Sequence, residues 1–174
     1  MSRKILVVVD MQNDFISGPL GNAECMGAVD AVVNVITTGD YDSILVTQDT
    51  HTPDYRNTNE GRHLPVEHCI RGTKGWEIRE DVAAAMPEAI IIDKPTFGSV
   101  ELAKLLEEEN RKEELELELV GLCTDICVAS NALLLKAAMP EITIRVDASC
   151  CAGVTPESHE AALTTMRMCQ IEVA

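Results

Sequence analysis

The chain has 174 residues, 46% of them hydrophobic, and a formal net charge of −15. That is most simply one domain, residues 1–174, long enough to bury a substantial core. The charge argues against nucleic acid or an anionic membrane as a partner, since both are polyanions, and no stretch approaches the roughly 20 apolar residues of a membrane-spanning helix.

The first predicted element is Lys4-Ile5-Leu6-Val7-Val8-Val9-Asp10, an almost uninterrupted apolar run that stops at a carboxylate. Such runs belong to central parallel strands covered on both faces. A helix near 25–37 and a strand over 43–48 follow. Residues 49–74 then break the alternation: they carry three of the four histidines and two prolines, with little periodicity. Loops this long in a compact domain are usually functional or disordered, and this one reads as functional. In it, Asp49-Thr50-His51 places a carboxylate and an imidazole two apart, on one side of an extended segment. Glu60, His63 and His68 lie downstream. Histidines with carboxylates, water filling the remaining positions, suit an open Zn²⁺, Fe²⁺ or Mn²⁺ site. No HExxH spacing is present, and surface histidines in a polar loop are the plain alternative.

Beyond the loop a helix is predicted over 75–86, then a strand over 89–93 that ends at a cation, Ala89-Ile90-Ile91-Ile92-Asp93-Lys94. A helix over 99–110 runs into the acidic stretch Glu107–Glu114, a solvated helix end. Leu115-Glu116-Leu117-Glu118-Leu119 alternates with period two and marks a strand over 115–121. Gly121 to Ser130 turns from that strand into a helix over 125–138, with Cys127 in its first turn. There, free N–H groups and the positive dipole end favour thiolate, so a depressed thiol pKa is expected; a small buried hydrophobe is the alternative for a free Cys. A strand over 142–147 leads into a small-residue turn holding the vicinal pair Cys150-Cys151, where a redox role is conceivable and simple accommodation is the plainer reading. Thr155-Pro156-Glu157-Ser158 is a helix start, for a helix over 156–168, with His159 an unassigned histidine, and a last strand is predicted over 170–173.

This alternation predicts an α/β fold: a three-layer, doubly wound, mostly parallel sheet of about six strands with helices on both faces. In such sheets ligands bind outside the carboxyl ends of the strands, which would bring Asp10, Lys94 and Cys127 to one rim. The N-terminus enters a strand with no signal-peptide pattern, and seven cysteines, an odd number without a CxxC pair, point to reduced thiols and a cytoplasmic location.

Taken together, the motifs resemble the isochorismatase-like cysteine hydrolases, and within them the nicotinamidase-type amidohydrolases. The resemblance rests on five ordered segments: Val7–Phe15, Asp49–His51, Pro65–Cys69 with Gly72-Thr73, Lys94–Ser99, and Gly121–Ser130. It implies a triad of Asp10 as base, Lys94 as electrostatic partner and Cys127 as nucleophile. It also implies an oxyanion hole from the backbone N–H groups of Cys123 and Cys127, and a cis Leu122–Cys123 bond. The implied metal, most simply Zn²⁺, falls on Asp49, His51 and His68, with Glu60 or His63 as further candidates and Asn57 where another histidine is expected. Phe15 is the implied stacking wall, and a homo-oligomer is expected. Leu64 stands where an aromatic is common, so nicotinamide is favoured over other amides without being fixed. The implied substrate is a small amide, hydrolysed through a thioester. The alternatives are an N-carbamoyl or ureido amidohydrolase, which needs no ring-coordinating metal, and a catalytically silent binding protein on the same fold. Cleavage of a vinyl ether does not require Cys127.

Overall fold

A computed structural model describes residues 2–174. In chain order its elements are β1 (Arg3–Val9), α1 (Asn13–Ile16), α2 (Ala23–Gly27), α3 (Val29–Thr38) and β2 (Ser43–Asp49). After a 3₁₀ turn (Tyr55–Asn57) come α4 (Asn59–His63), α5 (Glu80–Ala85), β3 (Ile90–Lys94), α6 (Val100–Asn110) and β4 (Leu115–Leu122). A π turn (Thr124–Val128) leads into α7 (Ala129–Ala138), followed by β5 (Thr143–Ala152), α8 (Pro156–Met168) and β6 (Glu172–Val173).

The six strands form one sheet in the order β3-β2-β1-β4-β5-β6, and every pairing is parallel. The sheet is therefore wholly parallel, not mostly so. β1 is central and its apolar run is buried on both faces. Ile5, Val7 and Val9 join Leu102 and Leu106 of α6, Leu135 of α7 and Leu163 of α8 in one core. Leu6 and Val8 join Val29, Val32 and Ile36 of α3 and Val82 of α5 in the other. Each such side chain contributes about 1.5–3 kcal/mol on burial, so β1 anchors both layers.

The chain runs outward from β1 through β2 to β3, then crosses back to place β4 on the other flank of β1. The strand order reverses there, and the crevice at the carboxyl ends is where such sheets bind ligands. Asp10 follows β1, Asp49 ends β2, Lys94 ends β3, and the Cys123–Cys127 turn follows β4. Gly121, at φ +116°, is required at this switch, because a Cβ there would stand 2.2 Å from the Val9 carbonyl oxygen.

Several sequence expectations need correction. The helix expected over 25–37 is two helices meeting at Ala28, with Asn22 capping the first by accepting the Cys25 N–H at 2.7 Å. Only 80–85 of the helix expected over 75–86 is helical. The preceding residues form a turn over 74–76 and a bend at Glu77, with Ile78 bridging antiparallel to Gln12 and the Asn13 N–H donating to the Glu77 carbonyl at 3.1 Å. The turn expected around Cys150-Cys151 is strand, with β5 continuing to Ala152 after an irregularity opposite Leu119–Gly121. Small side chains there fit against β4 as well as in a turn, so composition could not separate the two. Among the described residues no helix is long and apolar enough to cross a membrane.

Candidate active site

At the carboxyl rim the side chains of Asp10, Lys94 and Cys127 converge. Lys94 Nζ lies 2.7 Å from Asp10 Oδ2 and 3.4 Å from Cys127 Sγ. The same ammonium reaches Asp49 Oδ1 at 3.2 Å and donates to the Thr96 carbonyl at 3.0 Å. Lys94 is 1% exposed and Asp10 0%, so this is a cation out of water, tolerable only because anions surround it. Burial works to strip its charge, but Asp10, Cys127 and Asp49 outweigh burial and hold its pKa above that of an ordinary lysine.

Asp10 sits at φ +47°, a left-handed backbone that costs most side chains about 1–2 kcal/mol and that Asp tolerates better than most. Two backbone bonds hold it there: its N–H donates to the Thr47 carbonyl at 3.1 Å, and its carbonyl accepts the Gln12 N–H at 2.7 Å. The Thr47 hydroxyl donates to Asp10 Oδ1 at 2.7 Å. Burial pushes the Asp10 carboxyl above its usual pKa, opposed by Lys94 and Thr47. The Cys127 thiol is pushed well up, first by burial and then by the Asp10 charge, with Lys94 opposing. This reverses the thiolate expected at a helix start. The sulfur is 5% exposed and faces a carboxylate, and both effects outweigh the partial charge of a helix end. The Cys127 thiol and the Asp10 carboxyl group thus both contact the one ammonium of Lys94.

The second cluster lies beside the first. Asp49 Oδ2 is 2.9 Å from His51 Nε2 and 3.6 Å from His68 Nε2; Glu60 Oε1 is 3.6 and 3.5 Å from the same two nitrogens. Ligand atoms of Asp49, His51 and His68 all lie within 4.8 Å of one another. His68 Nδ1 is 2.8 Å from the Val66 carbonyl. A carbonyl can only accept, so Nδ1 carries the proton and Nε2 is free to face the cluster, as in metal-binding histidines. His51 Nε2 is buried with no hydrogen bond of good geometry. Burial works to lower the His68 pKa, but Asp49 and Glu60 raise it to about 10. Burial also works against the Asp49 charge, yet His51, His68 and Lys94 hold that carboxyl below the usual carboxylate range.

These residues fit a divalent metal. A buried imidazole nitrogen without a hydrogen bond, a second one oriented by a carbonyl, and two carboxylate oxygens make an N/O donor set of the kind zinc, iron and manganese take. With neutral histidines, Asp10, Asp49 and Glu60 against Lys94 leave two negative charges over, the complement of a divalent cation. His63 is set apart, exposed, with Nδ1 donating to the Asn59 carbonyl at 2.8 Å. Asn57 is turned to Asp54 on the surface.

Four further residues organise the site, and periodicity gave no sign of them. Gln12 is fully buried: its amide donates to the carbonyls of Asp49 and Trp76, both at 2.8 Å, and its oxygen accepts the Asp49 N–H at 2.7 Å. Asp14 accepts the Cys69 N–H at 2.7 Å, fixing the chain just after His68, where Cys69 is itself at φ +47°. Tyr55, fully buried, wedges its ring 4.8 Å from that of His51 and 5.0 Å from that of His68, with its hydroxyl donating to the Leu64 carbonyl at 2.9 Å. Asn131 binds the carbonyl of Cys127. A polar side chain just past a buried strand, as with Gln12, is the one signal that could have been followed. His159, unassigned from sequence, is 2.8 Å from the buried Thr124 hydroxyl through Nδ1.

A cavity of about 520 Å³ opens beside the second cluster, with His51, Glu60, His63, Leu64, Phe97 and Ile126 in its wall; Asp10, Lys94 and Cys127 do not line it. Leu64 and Phe97 are exposed there. Phe15 is nearly buried, its ring 5.6 Å from His68.

The family model described as isochorismatase domain matches residues 4–174. The nicotinamidase/pyrazinamidase of Mycobacterium tuberculosis is 27% identical, over 98% of this chain and 97% of its own. Among solved structures, the pyrazinamidase of Pyrococcus horikoshii in complex with zinc has a TM-score of 0.81 at 26% identity, covering 99% of this chain and 98% of that one. The nicotinamidase/pyrazinamidase PncA from Bacillus subtilis has a TM-score of 0.81 at 27% identity, covering 99% of both chains.

Proposed function

The chain belongs to the isochorismatase family, and we propose that it forms one catalytic domain that hydrolyses a small heteroaromatic amide, with nicotinamide the leading substrate, to the acid and ammonia. The observation that carries this reading is the position of Lys94, whose ammonium touches Asp10, Cys127 and Asp49 at once. Nucleophile, base and donor cluster thereby share one cation. Relatives at 26–27% identity that carry nicotinamidase or pyrazinamidase names support the amide over other substrates of the family.

In this reading Asp10 accepts the Cys127 thiol proton as Sγ attacks the amide carbon, with Lys94 stabilising the anion pair. The carbonyl oxygen gains negative charge, and the backbone N–H groups of Cys123 and Cys127 are the donors assigned to it. The cis Leu122–Cys123 bond lies at this turn. Asp10 returns the proton to the departing nitrogen, the C–N bond breaks, and ammonia leaves behind a thioester. Asp10 then takes a proton from water, whose oxygen attacks the thioester; the C–S bond breaks, Asp10 returns the proton to the departing sulfur, and the carboxylic acid product leaves with the thiol and the Asp10 carboxylate restored. Asp49, His51 and His68, with Glu60 as a fourth donor, would hold a divalent cation, for which the zinc of the Pyrococcus horikoshii structure makes zinc the first choice. Such an ion supplies Lewis acidity to a ring nitrogen, which fixes the substrate and leaves proton transfer to Asp10. Phe15, whose ring lies 5.6 Å from that of His68, is the stacking wall in this reading.

The test is ammonia release from nicotinamide by zinc-loaded protein, with Cys127→Ala alongside. We expect turnover, and its loss by a factor on the order of 10⁴ or more in the variant. Turnover surviving in Cys127→Ala would overturn the nucleophile. Absence of turnover on nicotinamide, with hydrolysis of an N-carbamoyl compound, would move the substrate class.

A further inference from the structure

Asn131 is fully buried on α7, one turn beyond Cys127. Local physics argues against Asn at this place. It is a poor helix former, it is costly to bury, and a side chain that bonds back to the carbonyl four residues earlier tends to bend its helix. Yet its amide is used at both ends. Nδ2 donates to the Cys127 carbonyl at 2.8 Å and to the Phe97 carbonyl at 3.1 Å, while Oδ1 accepts the Ser99 N–H at 2.9 Å. One side chain thus ties the backbone of the Cys127 turn to the segment that continues from Lys94. These are the same two segments whose side chains meet at Lys94 Nζ and Cys127 Sγ, 3.4 Å apart.

Lys94 is otherwise committed to β2 and β1 through Asp49 and Asp10, whereas Cys127 belongs to the π turn after β4. The Lys94–Cys127 contact therefore joins two separately anchored segments. We infer that Asn131 is a positioning residue for the proposed reaction, setting the separation of the Cys127 sulfur from Lys94 through the two backbones and touching neither reacting atom. The inference rests on the reading of Cys127 as nucleophile. Its physical content is orientation: an error of about 1 Å in a reacting atom costs on the order of 10²-fold in rate.

The experiment compares Asn131→Ala and Asn131→Asp with the unmodified chain. Asp keeps the acceptor for the Ser99 N–H and loses the amide donors to the two carbonyls. Two quantities are read on folded, zinc-loaded protein: kcat and KM for nicotinamide, and the rate of Cys127 carbamidomethylation by peptide mass. In both variants kcat should fall about 10- to 100-fold with KM held within about threefold. Alkylation should slow by about fivefold or more, since the thiolate loses its cation. A kcat within about twofold of the unmodified chain, a loss confined to KM, or alkylation as fast as before would overturn the inference. A lower melting temperature with kcat per folded site unchanged would do the same, leaving Asn131 a stabilising residue only. Should Ala not fold, the near-isosteric Asp carries the test. If the unmodified protein releases no ammonia from nicotinamide, the functional reading fails and the alkylation ratio alone decides the role of Asn131.

Discussion

Replacing Lys94 by Met tests the central electrostatic feature of the site, because the apolar stem is nearly conserved while the ammonium is lost. In the native chain that ammonium lies 2.7 Å from Asp10 and 3.2 Å from Asp49, buried with both of them. Removing one partner of a buried pair costs about 3–5 kcal/mol. The structure supplies a ceiling of its own: Asp10 can escape an unpaired charge by taking up a proton. At pH 7 that costs about 1.36 kcal/mol per unit above a carboxyl reference near 3.9, or roughly 4 kcal/mol. For a chain of this size each kcal/mol moves Tm by about 2–4 °C, so a fall of roughly 8–16 °C is expected. The variant's native state would then hold a proton that its unfolded chain has lost. Its deficit must therefore shrink as the pH falls, by about 1.4 kcal/mol per unit, to roughly 1.5 kcal/mol at pH 5. Urea denaturation at both pH values measures this, in the presence of chelator so that no metal charge replaces the ammonium. Lys112→Met, at an exposed pair with Glu109, serves as the control and should move neither value. A deficit below about 1 kcal/mol at pH 7, or one that does not change between pH 7 and 5, would refute the reasoning.

Three further outcomes are expected. Cys127 should react with iodoacetamide slowly at neutral pH and faster as the pH rises past about 9, because burial and Asp10 hold it protonated; rapid alkylation at about pH 6 would show the helix start dominating after all. Chelation should raise KM for nicotinamide several-fold, about 1 kcal/mol or more of binding, with a melting shift of only a few degrees. Asp49, Gln12 and Tyr55 are held by the sheet and by backbone bonds, so global unfolding on metal removal would make the cation structural instead. Gly121→Ala should cost about 3 kcal/mol or more, as it adds a left-handed strain to a Cβ 2.2 Å from the Val9 carbonyl oxygen; a melt within about 1 kcal/mol of the parent would show that β4 can shift away from β1.

What the sequence discloses here follows from how far each physical rule reaches. The central strand β1 is legible because burial on both faces leaves an unbroken apolar run, against which Asp10 stands out; β3 carries a similar run before Lys94 although it is an edge strand with Ile90 and Ile91 exposed. A parallel sheet then places strand ends on one rim without any knowledge of side-chain geometry, which is why Asp10, Lys94 and Cys127 could be gathered before their distances were known. The helices are less legible where a loop competes: the helix expected from residue 75 begins only at Glu80, because Gln12 and Asn13, more than 60 residues away in sequence, bind the carbonyls of Trp76 and Glu77 and pair with Ile78. Protonation was misread for a related reason. A helix start is visible in the sequence, whereas the burial of Cys127 and the Asp10 carboxyl that follows another strand are tertiary, and burial first and then that charge outweigh a partial one.

The residues that organise the site show the limit most sharply. Gln12, Tyr55 and Asn131 are polar or amphipathic side chains in buried places, and each acts on backbone elsewhere: Gln12 and Asn131 on distant segments, at Asp49 and Phe97, and Tyr55 within its own loop, at Leu64. Pattern reasoning assigns a buried polar residue a cost and has no means of finding its partner, since the partner is set by tertiary contact alone. Charge shows why such clasps are needed. Lys94 serves two carboxylates and a thiol at once, and a single cation shared three ways holds none of its partners at a fixed distance. The directional bonds of Gln12 to Asp49 and of Asn131 to Cys127 supply the distance control that the shared charge lacks. Loss of either clasp should therefore disturb geometry first and charge only through it.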